Sequence, residues 1–158
     1  DVVAVVADGF AAFELGVVCE VFGLDRSEQG LPTYDFAVVA AEEPPLRTSQ
    51  GFRLDTDHRL DRVATADLVC IPAWRSIDER PPEPFLEAVR DAVERGARVL
   101  SVCSGGRVLP SFSHSAFPRA LRGDIGLYCV PIPNVVRLSF WLTRKRSSET
   151  SSRYLASP

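Results

Sequence analysis

The chain has 158 residues, 46% of them apolar and 25% charged, with a net charge of −3. That length suits one domain around one core, and the balance is that of an ordinary globular chain with no case for nucleic acid or membrane as a partner. The average hides an asymmetry: residues 1–104 carry 19 acids and 10 bases, whereas residues 105–158 carry 2 acids and 8 bases. The four cysteines (Cys19, Cys70, Cys103 and Cys129) are widely spaced, without a CxxC pair or a histidine cluster. This spacing argues against a metal site and against a disulfide framework, and reads as reduced thiols in a cytoplasmic protein. Neither a metal nor another cofactor is expected. No apolar run reaches transmembrane length and no signal-peptide pattern opens the chain.

Val2 to Ala7 is a continuous, β-branched run closed by Asp8-Gly9, the pattern of a strand buried on both faces of a parallel sheet. Ala12 to Gly23 reads as a helix stopped by Gly23. Phe13, Val17, Val21 and Leu24 share one face, while Leu15, Val18 and Phe22 cover much of the rest, so the helix is expected to be deeply packed. Tyr34 to Ala41 is the second strand. Pro44-Pro45 and Ser49-Gln50-Gly51 then break the chain into a loop with a short extended piece at Phe52 to Leu54. His58 lies in a charged stretch and reads as solvated.

Asp67 to Ile71 is another buried-strand pattern, ended by Pro72 and followed by Ala73-Trp74-Arg75. Pro82-Glu83-Pro84 opens a helix with apolar positions Phe85, Leu86, Val89, Ala92 and Val93, and Gly96 stops it. Arg98 to Val102 is the next strand. The order so far, with strands and helices alternating, predicts an open α/β sheet with right-handed crossovers.

The strand ends in Ser101-Val102-Cys103-Ser104-Gly105-Gly106, which has the outline of a nucleophile elbow: strand, sharp turn, helix. Amides opening the following helix would favour the thiolate and could hold an oxyanion. The alternative is a structural cysteine buried at the end of a core strand. Glu14 has two readings as well. It either complements the dipole of its helix or points a carboxyl at the sheet edge that holds Cys103. Beyond the elbow a helix should start at Ser104 or Gly105, but Pro110 would break it within two turns. Leu127 to Val130 and Val135 to Leu142 are candidate strands, and residues 143–158 read as a basic, serine-rich, disordered tail.

Residues 2–106 resemble the ThiJ/PfpI superfamily, relatives of class I glutamine amidotransferases, and most of all the N-terminal domains of AraC-type transcriptional regulators. The resemblance rests on Asp8-Gly9-Phe10 with Glu14, Glu20-Val21-Phe22-Gly23, Asp67 to Pro72, and the elbow Ser101-Val102-Cys103-Ser104-Gly105. It implies a flavodoxin-like, mostly parallel sheet with helices on both faces, and Glu14 hydrogen-bonded to Cys103. It implies an oxyanion site from the amides of Ser104 and Trp74 beside Gly105. Relatives carry a Pro-Gly-Gly-like loop where this chain has Pro72-Ala73-Trp74, so a bulky indole is expected over the site. Relatives also carry a histidine about twenty residues after the cysteine, where this chain has Arg122-Gly123-Asp124; His114 stands in an unrelated context. Residues 107–142 therefore read as an atypical continuation of the domain. A frameshift or truncation near Gly106 in the gene of such a regulator would produce this change, and the helix-turn-helix half is absent from the chain.

Three functions follow. The first is a ligand-sensing domain of an AraC-type regulator, binding a small molecule near Glu14, Trp74 and Cys103, with a homodimer as a possible assembly and no DNA binding by this chain alone. The second is a cysteine-dependent hydrolase, amidase or isonitrile hydratase-like enzyme using Cys103 and Glu14. The third is a redox sensor oxidised at Cys103.

Overall fold

A computed structural model describes residues 1–76 and 78–108 and the backbone of the strand at 135–138. Its centre is a five-stranded parallel sheet. The strands are β1 (Val2–Val6), β2 (Phe36–Ala40), β5 (Leu68–Ile71), β6 (Arg98–Val102) and β7 (Val135–Leu138), in the spatial order β2-β1-β5-β6-β7. A separate antiparallel pair, β3 (Leu46–Arg47) and β4 (Arg53–Leu54), lies between β2 and β5 in the chain. Without that pair the order is the flavodoxin-like one, in which the chain winds outward in both directions from β1.

Every residue of β1 is buried, as the continuous valine run requires of a strand paired on both sides. Alternation along the strands divides the core into two faces. Val3, Val5, Val39, Val69, Ile71 and Val99 face one way and pack with Phe85, Leu86 and Val89 of α2 (Glu83–Glu94). Ala4, Val6, Cys70, Leu100 and Val102 face the other way and pack with Leu15 and Val18 of α1 (Ala12–Phe22). The two helices thus cover opposite faces of the sheet.

α2 follows its sequence signals closely. Prolines flank its first residue, and it ends in a Schellman motif: Gly96 adopts φ +103°, its N–H donates to the Val93 carbonyl, and Ala97 N–H donates to the Ala92 carbonyl. α1 corrects the expectation of a deeply packed helix. Phe13 is 67% exposed, and Val21 and Leu24 are about half exposed, because the sheet offers the helix only one face. Its first turn lacks a side-chain cap of its own, and the Ala12 N–H donates instead to Gln50 Oε1 from the β3–β4 connection at 3.2 Å.

Past the elbow the chain forms a short 3₁₀ turn, Cys103–Arg107, in place of the expected α-helix start. The candidate strand Val135 to Leu142 is realised over Val135–Leu138 as β7, parallel to β6, and residues 139–142 lie outside the described residues. The other candidate, Leu127 to Val130, and the expected tail at 143–158 lie outside the described residues. His58 is exposed, as its charged surroundings suggest.

Candidate functional site

Winding outward from β1 sets the site. The connection after β1 runs to α1 on one face, and the connection after β5 runs to α2 on the other. The two diverge at the C-terminal ends of neighbouring strands, which opens a crevice where folds of this kind bind ligands. The turn after β6 borders it.

Cys103 stands at that turn. Val102 is still extended, with φ −114° and ψ 135°, and Cys103 then swings to φ +52°, the only described non-glycine residue with positive φ. A side chain in this conformation is strained, and such strain is held only where the surroundings fix it. Gly105 supplies the fixing contact: a Cβ there would lie 2.3 Å from the carbonyl oxygens of both Ile71 and Pro72. The turn is therefore pressed against the end of β5 so closely that no side chain fits between them. Ser104 adds a tether, its Oγ donating to the Trp74 carbonyl at 3.0 Å.

Cys103 is half-buried and packs against the α1-side core, the side that carries Glu14 in the first turn of α1. Glu14 is likewise half-buried. The sequence-predicted residues Cys103, Ser104, Gly105 and Trp74 are thus brought together by two adjacent turns, while Glu14 lies in the first turn of the helix after β1.

Trp74 corrects one expectation. Its indole, expected over the site, is only 6% exposed and lies in the α2-side core, stacked on Phe85 with centroids 5.2 Å apart and planes 27° apart. Its Nε1 is buried and finds no hydrogen-bond partner among the described residues. The backbone of Trp74 borders the elbow while its ring anchors the loop.

The other thiols differ in setting. Burial pushes Cys70 up from its ordinary 9.0 to about 12, with Cys19 nearby adding to the effect, and burial also raises Cys19. Both are protonated, structural cysteines at neutral pH. Cys129 and His114 lie outside the described residues. No cluster of three His, Cys, Asp or Glu side chains suited to a metal occurs among the described residues. No described helix is long and apolar enough to cross a membrane. A polar depression of about 630 Å³ lies at the opposite, N-terminal edge of the strands, lined by Thr65, Asp67, Arg95, Gly96 and Arg98 among others. It lies at the opposite ends of the strands from Cys103.

The C-terminal edge of the strands, where the elbow lies, carries a further charged cluster that sequence reasoning missed. Arg75, directly after Trp74, donates to Glu42 after β2, to Glu79 in its own loop and to the Asp8 carbonyl after β1. Its only signal was a charged residue at a strand end, and its partners are scattered along the chain.

The DJ-1/PfpI family profile matches residues 1–115. The chain belongs to the DJ-1/PfpI family. The match runs past Gly106, where the motif resemblance stops. An uncharacterised protein from the cpoL 5′ region of Streptomyces lividans is 30% identical over 109 residues, covering 68% of this chain and 76% of that protein. Among solved structures, oxidised DJ-1 of Toxoplasma gondii superposes with a TM-score of 0.61 at 19% identity, over 87% of this chain and 80% of that one. A DJ-1 superfamily protein of Agrobacterium tumefaciens gives 0.55 at 18% identity, over 70% of this chain but only 57% of that one. A Vibrio parahaemolyticus protein provisionally assigned as a transcriptional regulator gives 0.58 at 13% identity, over 68% of this chain and 58% of that one. The matched part of this DJ-1/PfpI chain therefore spans little more than half of the last two. At these identities the superpositions establish the shared fold.

Proposed function

We propose that this DJ-1/PfpI domain is the small-molecule-sensing part of an AraC-type transcriptional regulator, with its ligand seated at the strand ends over Cys103. The observation that carries the reading is the backbone of Cys103, held at φ +52° at the crevice where the connections after β1 and β5 diverge. A fold stores strain of this kind where it presents a side chain to a ligand. Ser104 and Trp74 would supply amides to a polar atom of the ligand, Gly105 would let it approach the backbone, and Glu14 would share a proton with the thiol. The provisional regulator among the structural relatives is in keeping with this role.

The strained cysteine also favours a second reading, a cysteine-dependent hydrolase or isonitrile hydratase-like enzyme. There the Cys103 thiolate would attack an electrophilic carbon and Glu14 would move the proton.

Iodoacetamide labelling, resolved by peptide mass spectrometry and followed against pH, tests the site itself. The expected result is a Cys103 labelling midpoint well below the ~8.5 of a free cysteine, displaced by Glu14→Gln. An ordinary thiol indifferent to Glu14 would remove both readings. Given a responsive thiol, small molecules that slow labelling without being turned over support sensing, and turnover supports the enzyme.

A further inference from the structure

The guanidinium of Arg75 has five N–H groups, and the structure gives each of its nitrogens a partner. Nε donates to Glu79 Oε2 at 2.8 Å, and Nη2 donates to Glu79 Oε1 and to Glu42 Oε1, the latter at 3.0 Å. Nη1 donates to Glu42 Oε2 at 2.7 Å and to the Asp8 carbonyl at 3.1 Å. Glu42 Oε2 also accepts from the Asp8 N–H at 2.8 Å, and Asp8 Oδ1 accepts from the Arg47 N–H at 2.6 Å. About a quarter of the Arg75 and Glu42 side chains is exposed, so these are not fully solvated pairs. Two forked, bidentate contacts fix a guanidinium in direction as well as in distance.

These contacts join three connections at one edge of the sheet: those after β1, β2 and β5. The first leads within six residues to Glu14. The third contains Trp74, whose carbonyl is held from the other side by Ser104. With its donors committed, Arg75 is not free to bind an anionic ligand, although it stands beside the crevice.

We propose that Arg75 is a positioning residue: its fork onto Glu42 and Glu79, with the Asp8 carbonyl, locks the turn carrying Trp74 to the turn leading into Glu14, and so sets the geometry on both sides of Cys103. This rests on the reading of Cys103 as the site. Lysine keeps the charge but not the fork, and cannot hold both carboxylates and the carbonyl in one plane.

The test uses the full chain as wild type, Arg75→Gln and Arg75→Lys, with Glu42→Gln as a milder variant should Arg75→Gln fold poorly. Arg62→Gln serves as control, because Arg62 bridges Asp1 and Asp35 at the opposite edge of the sheet. Two readouts are taken: amide hydrogen exchange at 8–10 and 73–76, and the pH profile of Cys103 labelling with iodoacetamide. Arg75→Gln and Arg75→Lys are expected to speed exchange in both turns together. They should also raise the Cys103 labelling midpoint by about one pH unit, a roughly tenfold slower reaction below it. Arg62→Gln should change neither. Unchanged exchange in the Arg75 variants overturns the clamp whatever the thiol does. Faster exchange with an unchanged profile, in a protein whose Cys103 still responds to Glu14→Gln, overturns the positioning role and leaves the site reading standing. If the wild-type thiol ignores Glu14→Gln, the site reading itself fails, and the role of Arg75 toward Cys103 falls with it.

Discussion

The hydroxyl of Ser104 donates to the carbonyl oxygen of Trp74 at 3.0 Å, tying the turn after β6 to the turn after β5. Beside it, the backbone of Gly105 lies against Ile71 and Pro72. The elbow is therefore defined by its neighbour as much as by its own residues. Cys103 keeps its strained φ because the two residues after it are held against the end of β5 and the turn that follows.

Gly105→Ala places a methyl group 2.3 Å from two carbonyl oxygens that belong to backbone and cannot rotate away. A destabilisation of roughly 3 kcal/mol or more is expected, because overpacking against backbone must move a strand end. Gly16→Ala is the opposite case. Gly16 is exposed inside α1 with nothing within 4 Å of its would-be Cβ, so alanine should stabilise by about 0.5–1 kcal/mol. Urea denaturation of the two variants checks both signs.

Phe85 is fully buried and stacked on Trp74. Phe85→Ala should cost about 3–5 kcal/mol through the lost burial and the cavity left behind. It should also change the fluorescence of Trp74 in the folded protein, since the indole loses its stacking partner. A loss of stability without a fluorescence change would mean that the ring is held by its other contacts alone.

Cys70 makes stability depend on alkaline pH. The unfolded thiol ionises near its ordinary value, while the folded one keeps its proton up to about 12. Between those values the native state binds more protons than the unfolded state, so stability falls as pH rises above about 9 and is unaffected below that. One pH unit past the unfolded value corresponds to about 1.4 kcal/mol. Cys19, less buried, adds in the same direction. Cys70→Ala should flatten the alkaline limb of a Tm-against-pH curve, and an unaltered limb would contradict this account.

Much of the sheet was legible because its strands are uninterrupted apolar runs. Val2–Val6 and Leu68–Ile71 each have few other ways to hide their side chains, and neighbouring parallel strands provide one. Arg98–Val102 and the elbow were legible because a cysteine before small residues at a strand end carries its own backbone signature. α1 was misjudged for a physical reason. An all-round apolar pattern tells which positions tolerate burial, but the number of surfaces available decides which are buried, and the sheet supplied one. Phe13 therefore faces water while Leu15 and Val18 do not. Trp74 was placed correctly on the chain, but its ring direction depends on Phe85, eleven residues later. Arg75 was opaque for the same reason: residues 8, 42 and 79 meet it only after three strands have aligned.

The position of β1 has a consequence for how the chain is made. β1 is an interior strand that is synthesised before both of its neighbours, paired on one side by Phe36–Ala40 and on the other by Leu68–Cys70. Its second edge stays open until synthesis has passed Ile71, and that edge belongs to five consecutive buried residues. An unpaired apolar edge is a template for mispairing with another chain. The vulnerable interval in biosynthesis is thus the growth from Ala40 to Ile71. Codon choice or a chaperone acting over that interval is expected to change the yield of folded protein.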